Sequence, residues 1–130
     1  VFTVDLRHAD LGARRALEER IRSLCGTIAA ERSLGLAMRT LQERPPVSMH
    51  PDVRALLERA AADGGVSPPP LNLMSGAGHD AQVLAARCRV GMLFVPSIGG
   101  RSHCPEEATD PAHLELGAGV LARALELLAY

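Results

Sequence analysis

Two stretches of the sequence gather side chains able to do chemistry. In "LNLMSGAGHDA", Leu71 to Ala81, a short apolar run leads into Gly76-Ala77-Gly78 and then His79 and Asp80, where a helix is expected to begin. The spacing fits G-x-G-x-x-A, a form of the dinucleotide fingerprint in which glycines let backbone approach a pyrophosphate at a helix N-terminus. The same residues serve equally well to present an imidazole to a substrate. A dinucleotide would need an acidic side chain about 20 residues further on to hold its ribose. Pro96 and Ser97 stand there instead, and Asp80 would set a negative charge beside the pyrophosphate that the helix dipole is meant to attract.

The second stretch, "PSIGGRSHCPEE" from Pro96 to Glu107, follows an apolar run and carries His103, with Glu107 four residues later. Loops after strand ends are where α/β sheets keep their ligands. His-Cys adjacency is not itself a zinc spacing, so spacing alone leaves His103 between a surface role and a ligand role. Arg7, at the end of "VFTVDLR", adds a guanidinium fork on the polar side of an alternating segment, beyond Thr3 and Asp5.

The elements that must position these groups follow from periodicity. Phe2, Val4 and Leu6 alternate with polar residues, which predicts a half-buried strand at the start of the chain. Leu17, Ile21, Leu24, Cys25 and Ile28 recur at helical spacing, and Leu34 to Glu43 alternates again, giving strand, helix, strand. That order is half of a split βαβ sandwich. The three prolines of "RPPVSMHP" then mark a domain crossing, placed near Arg44, between a segment 1–44 and a segment 45–130. Asp52 to Asp63 reads as a short helix capped by Asp52 and stopped by Gly64-Gly65. Beyond the "VSPPP" loop come a brief buried strand "LNLMS", a helix "HDAQVLAARC", and a fully buried strand "VGMLFVPS". Pro111 to Tyr130 is expected as a helix whose stripe of Leu114, Ala118, Leu121, Leu125 and Leu128 packs along a sheet.

Composition excludes other classes. With 130 residues and 47% hydrophobic content the chain has about one domain's worth of core-forming material. Its 14 basic and 15 acidic residues are spread without the basic stripe that neutralises a phosphate backbone, so nucleic acid is not an expected partner. Every basic residue is Arg, which reads as codon bias. Three cysteines without a C-x-x-C pair, and no apolar signal segment at the start, point to a reduced, cytoplasmic protein. The longest strongly apolar run, Val90 to Val95, is far short of the ~20 residues of a membrane helix. Because the chain opens inside a predicted strand and without Met, it is expected to be the C-terminal part of a longer protein.

"MSGAGHDA" followed by "GMLFVPSIGGRSHCPEEAT" resembles the end of the zinc-dependent N-carbamoyl-amino-acid hydrolases and allantoate amidohydrolases, relatives of the aminoacylase-like zinc exopeptidases. "FTVDLRHAD" resembles the strand and turn of that family's inserted lid, so the likeness runs from Val1 to Tyr130. The resemblance implies an α/β architecture: half of a ferredoxin-like lid and dimerisation domain over 1–44, then the end of a zinc-exopeptidase-like catalytic domain. It implies that His103 is a metal ligand, for zinc or a divalent metal such as manganese. It further implies that His79 and Gly78 help hold the substrate, and that Arg7 grips the substrate carboxylate, usually from the partner subunit of a homodimer.

In the implied mechanism zinc lowers the pKa of a bound water and polarises the carbonyl while a glutamate takes the proton, cleaving a carbamoyl or ureido C–N bond. The family's other ligands, its bridging aspartate and the general-base glutamate lie in an N-terminal region that this sequence lacks, so the 130-residue chain alone is expected to be inactive. Arg101 departs from an aliphatic residue usual in the family. Two other readings remain open on sequence: a non-catalytic association module that pairs through its exposed first strand, and an aminoacylase or peptidase of the same superfamily.

Overall fold

A computed structural model describes Val1–Ala129, and it divides into two compact units. The first comprises Val1–Ser48 with Met74–Gly78, and the second Met49–Leu73 with His79–Tyr130. Among the described residues the regular structure is helical, without a β-strand.

In the first unit, helix α1 spans Leu11–Glu31. Asp10 starts it, accepting a hydrogen bond from the Ala13 amide at 2.6 Å and so satisfying one of the four N–H groups a helix leaves unpaired. The helix stops at Ser33, which takes a left-handed φ of 52° while the Leu34 amide turns back to the Ala29 carbonyl at 2.8 Å. The chain that follows is lashed to α1 by polar contacts. Arg14, its side chain only 11% exposed, meets Glu43 at 2.8 Å, and Arg22 donates to Thr40 at 2.8 Å.

In the second unit, α2 (Pro51–Asp63) packs against α4 (Pro111–Ala129), with the short α3 (Asp80–Leu84) between them in sequence. The α2/α4 seam is made of small residues: Ala60, Ala61, Val120 and Ala124 are buried, flanked by Leu56, Leu57, Val66 and Leu127. Small side chains let two helices approach closely. Arg123 spans the same pair to reach Asp63 at 2.9 Å, which holds the guanidinium above its ordinary pKa, with Glu126 adding to the effect.

Several expectations are corrected. The four segments predicted as strands, 1–7, 34–43, 71–75 and 90–97, carry no ladder, so the described residues form neither an α/β sheet nor a ferredoxin-like lid. Period-2 alternation records which side of a segment is apolar; a strand also needs a neighbour to accept its backbone hydrogen bonds. Segment 90–97 instead lies on helices. The Val90 carbonyl accepts from His50 N–H at 2.8 Å, and Gly91 is seated against Val53 of α2. A Cβ added at Gly91 would come within 2.5 Å of Val53 Cγ1, and one added at Gly117 of α4 within 2.5 Å of Val95 Cγ1.

On α4 the packed side is Val120, Ala124 and Leu127, while Leu114, Leu121, Leu125 and Leu128 of the expected stripe are exposed. The seam selects residues small enough for Ala60 and Ala61, not the richest leucine row. The cap of α2 is His50, whose Nδ1 accepts from Asp52 N–H at 3.2 Å, with Pro51 in the first turn, where a missing N–H costs nothing. Helix α3 ends at Leu84, short of the expected Cys88. The expected end of α4 at Tyr130 lies outside the described residues.

Candidate functional site

Arg7 is exposed, and its fork is already engaged. Nε donates to both Asp5 carboxylate oxygens, at 3.0 and 3.1 Å, and Nη2 to Asp5 Oδ2 at 2.5 Å. Nη1 donates to the Gly76 carbonyl of the same unit, so the structure brings Arg7 onto the first glycine of the Gly-Ala-Gly loop. The hydrogen bond from Arg7, reinforced by its charge, holds the Asp5 carboxyl below the ordinary value of 3.8, and Asp5 raises the Arg7 guanidinium in return.

The loop is braced by Ser75, whose Oγ accepts from Ala77 N–H at 3.2 Å. Gly78 is exposed, and a Cβ there would meet no atom within 4 Å, so the backbone offers an open face. Next in sequence, His79 caps α3. Its Nδ1 accepts from the Ala81 amide at 3.1 Å, and Asp80 puts a negative charge in the first turn. With Nδ1 accepting, the neutral ring carries its proton on Nε2, which is left to donate outward.

His103 sits in a different setting. It takes a left-handed φ of 57°, a conformation uncommon for residues other than glycine, though histidine adopts it more readily than most. Two glycines just before it, Gly99 and Gly100, also have positive φ and carry the chain through a tight 3-10 turn, Ile98–Gly100. The loop is closed at its base by Ile98 N–H donating to the Ala108 carbonyl at 2.8 Å and by Ser97 Oγ donating to the Arg101 carbonyl at 2.5 Å. Glu107 accepts from the His103 amide at 2.7 Å. That carboxylate therefore fixes the backbone of His103 and leaves the imidazole ring to other partners. Arg101, the departure noted in the sequence, is exposed.

No hydrogen bond or ion pair joins His79 to His103 among the described residues, and no group of three or more His, Cys, Asp or Glu side chains there could hold a metal ion. The described residues thus fall short of a metal site; His103 is a single candidate ligand. Cys25, Cys88 and Cys104 are free, and no helix among the described residues is long and apolar enough to cross a membrane.

Sequence reading missed Asp5, Ser97 and the amide-holding role of Glu107. Asp5 was detectable, because residues two apart in an alternating segment share a side, which put its carboxylate next to Arg7. Ser97 and Glu107 act through backbone groups whose positions depend on the positive-φ turn, and no local pattern announces that.

The arginine fork and the glycine loop belong to the first unit, and the helix-capping His79 and the braced His103 loop to the second. A family model described as Peptidase family M20/M25/M40 matches residues 16–127, and the chain belongs to that family. It is similar to the allantoate amidohydrolases of Bacillus subtilis (strain 168), 33% identical over 129 residues, and Escherichia coli (strain K12), 35% identical over 133 residues. In each case 99% of this chain aligns with 31% of the relative. The N-carbamoyl-L-amino-acid amidohydrolase of Paenarthrobacter aurescens is 37% identical over 128 residues, covering 98% of this chain and 30% of its own length. The chain therefore spans slightly under a third of the curated relatives it matches.

Proposed function

We propose that this chain forms part of a metal-dependent amidohydrolase cleaving the carbamoyl or ureido C–N bond of a small carboxylate substrate, an N-carbamoyl amino acid or an allantoate-like ureide. The observation that carries the reading is the Arg7 fork lying on Gly76, three residues before His79. Arg7 holds the substrate carboxylate through two parallel hydrogen bonds. Gly78 lets the substrate approach backbone closely, and His79 donates from Nε2 to a substrate oxygen.

His103 gives one ligand to zinc, or to another divalent transition metal such as manganese, and the remaining ligands come from residues that are not in this chain. When bound, such a metal supplies Lewis-acid polarisation of the scissile carbonyl. In this reading the protein works in the cytoplasm as a homodimer, and the segment 1–44 contributes Arg7 to substrate binding. The family match and the names of the relatives support the amidohydrolase part of this reading.

The test is hydrolysis of allantoate, N-carbamoyl-L-amino acids, N-acetyl amino acids and dipeptides side by side by a metal-loaded enzyme that carries this chain. Ureido substrates are expected to have the highest kcat/KM. Preference for the acetyl or peptide substrates would move the assignment to an aminoacylase or peptidase. Purified alone, the 130-residue chain is expected to turn over none of them.

A further inference from the structure

We infer that Asp5 is a positioning residue for substrate recognition: its carboxylate locks the Arg7 guanidinium by the side edge, so that the end edge faces the substrate's carboxylate. The inference rests on the proposal that Arg7 grips that carboxylate, and extends it to a residue that never touches substrate. A guanidinium has five N–H donors in a fixed plane and can be approached along a side edge, Nε with one terminal nitrogen, or along its end edge, the two terminal nitrogens. Asp5 occupies the side edge, through Nε and Nη2. The Gly76 carbonyl takes one N–H of Nη1. Three donors are then used, and one remains on each terminal nitrogen.

The consequence is a plane whose swing is restrained. An exposed arginine on an unpaired segment has many rotamers and loses their entropy when a ligand orders it. Asp5 on the side edge and a backbone carbonyl on one N–H of Nη1 meet that cost before substrate arrives. Asp5 also resists release by acid, since its carboxyl is held below 3.8 by the hydrogen bond from Arg7. Its negative charge weakens the net attraction for an anion, so the arrangement exchanges raw charge for direction. The chemistry recognised is a planar carboxylate rather than any anion.

The experiment compares KM and kcat of the metal-loaded enzyme for N-carbamoyl-L-alanine and for its uncharged counterpart, N-carbamoyl-L-alaninamide. Asp5→Ala is expected to raise KM for the acid about 10-fold, as for one lost charge-assisted hydrogen bond, with kcat and the amide's KM unchanged. Asp5→Glu should recover part of the loss, because it restores a carboxylate. If Asp5→Ala does not fold, the near-isosteric Asp5→Asn, which offers one oxygen and no charge, carries the same comparison with a smaller rise. An unchanged or lowered KM for the acid, in a background where Arg7→Ala raises it, overturns the role of Asp5 alone. If Arg7→Ala itself leaves the preference for acid over amide intact, the underlying assignment of Arg7 fails and the role of Asp5 falls with it.

Discussion

Arg7 and His103 are presented by opposite means. Arg7 reaches out from a segment without ladder partners, and its direction comes from a neighbouring charge, Asp5, with a single backbone contact at Gly76. His103 is aimed by backbone: two positive-φ glycines, a left-handed residue, and a loop whose ends are tied by Ser97, Ala108 and Glu107. A grip set by side-chain charge can readjust to ligands of different shape, since rotamers relax readily. One set by backbone holds its geometry or loses it outright. The difference suits a substrate anchor on one side and a metal ligand on the other, because coordination tolerates distance errors of only about 0.2 Å.

The largest expected effect breaks the rigid side of this contrast. In the metal-loaded enzyme proposed above, His103→Ala should lower metal content and activity together, by about 100-fold or more, since even residues behind a ligand cost roughly 10- to 100-fold. Metal analysis of the folded variant showing a full complement would remove His103 from the ligand set. Next, Arg7→Lys keeps the charge and discards the fork, so kcat/KM for a carboxylate substrate should drop roughly 10- to 100-fold while metal content stays whole. Retained kcat/KM would mean that point charge, not bidentate geometry, is what the site uses.

A stability measurement probes the support beneath the His103 loop. Gly91→Ala drives a methyl to within 2.5 Å of Val53 Cγ1, which sits one bond from a stiff branched carbon, so the chain should lose about 1–3 kcal/mol in urea unfolding. Val53→Ala in the same background should return part of it. Gly117→Ala meets Val95 just as closely but regains about 1 kcal/mol of helix propensity, so its cost should be smaller. Equal stability of Gly91→Ala and wild type would show that segment 90–97 is not seated on α2.

The smallest expected effect concerns pH. Because the folded Asp5 carboxyl lies below 3.8, its pairing contributes fully above that value and is lost as pH falls beneath it through the folded pKa. A carboxyl titration followed by NMR should show a midpoint below 3.8 for Asp5 that rises toward 3.8 in Arg7→Ala. A midpoint unmoved by that substitution would dissolve the pair.

What could be read in advance was whatever local chemistry decides. The helical stretches α1, α2 and α4 were visible from spacing and stop signals, and the two motifs with His79 and His103 from glycine and histidine placement. Pairing was not visible. In "VFTVDLR" the alternation of Phe2, Val4 and Leu6 names an apolar side, yet a ladder depends on another segment's backbone, about which these residues carry no information. For α4, counting leucines favoured the wrong row, since fit to Ala60 and Ala61 depends on the partner helix. The hold of Glu107 on the His103 amide was hidden for a similar reason: it exists only once the turn at Gly99 and Gly100 has folded the chain back.

The seating of Gly91 on Val53 and of Val95 on Gly117 sets where this lineage can change its length. The two notches are four positions apart along the chain, and both must engage helices that are themselves clasped at an alanine seam. Inserting or deleting one residue between Gly91 and Val95 would leave one valine without its glycine and shift Ser97 and the whole His103 loop by a residue. The proline-rich loop after Val66 carries no such pair of seats, so related chains are expected to vary in length there while keeping the interval between 91 and 95 constant.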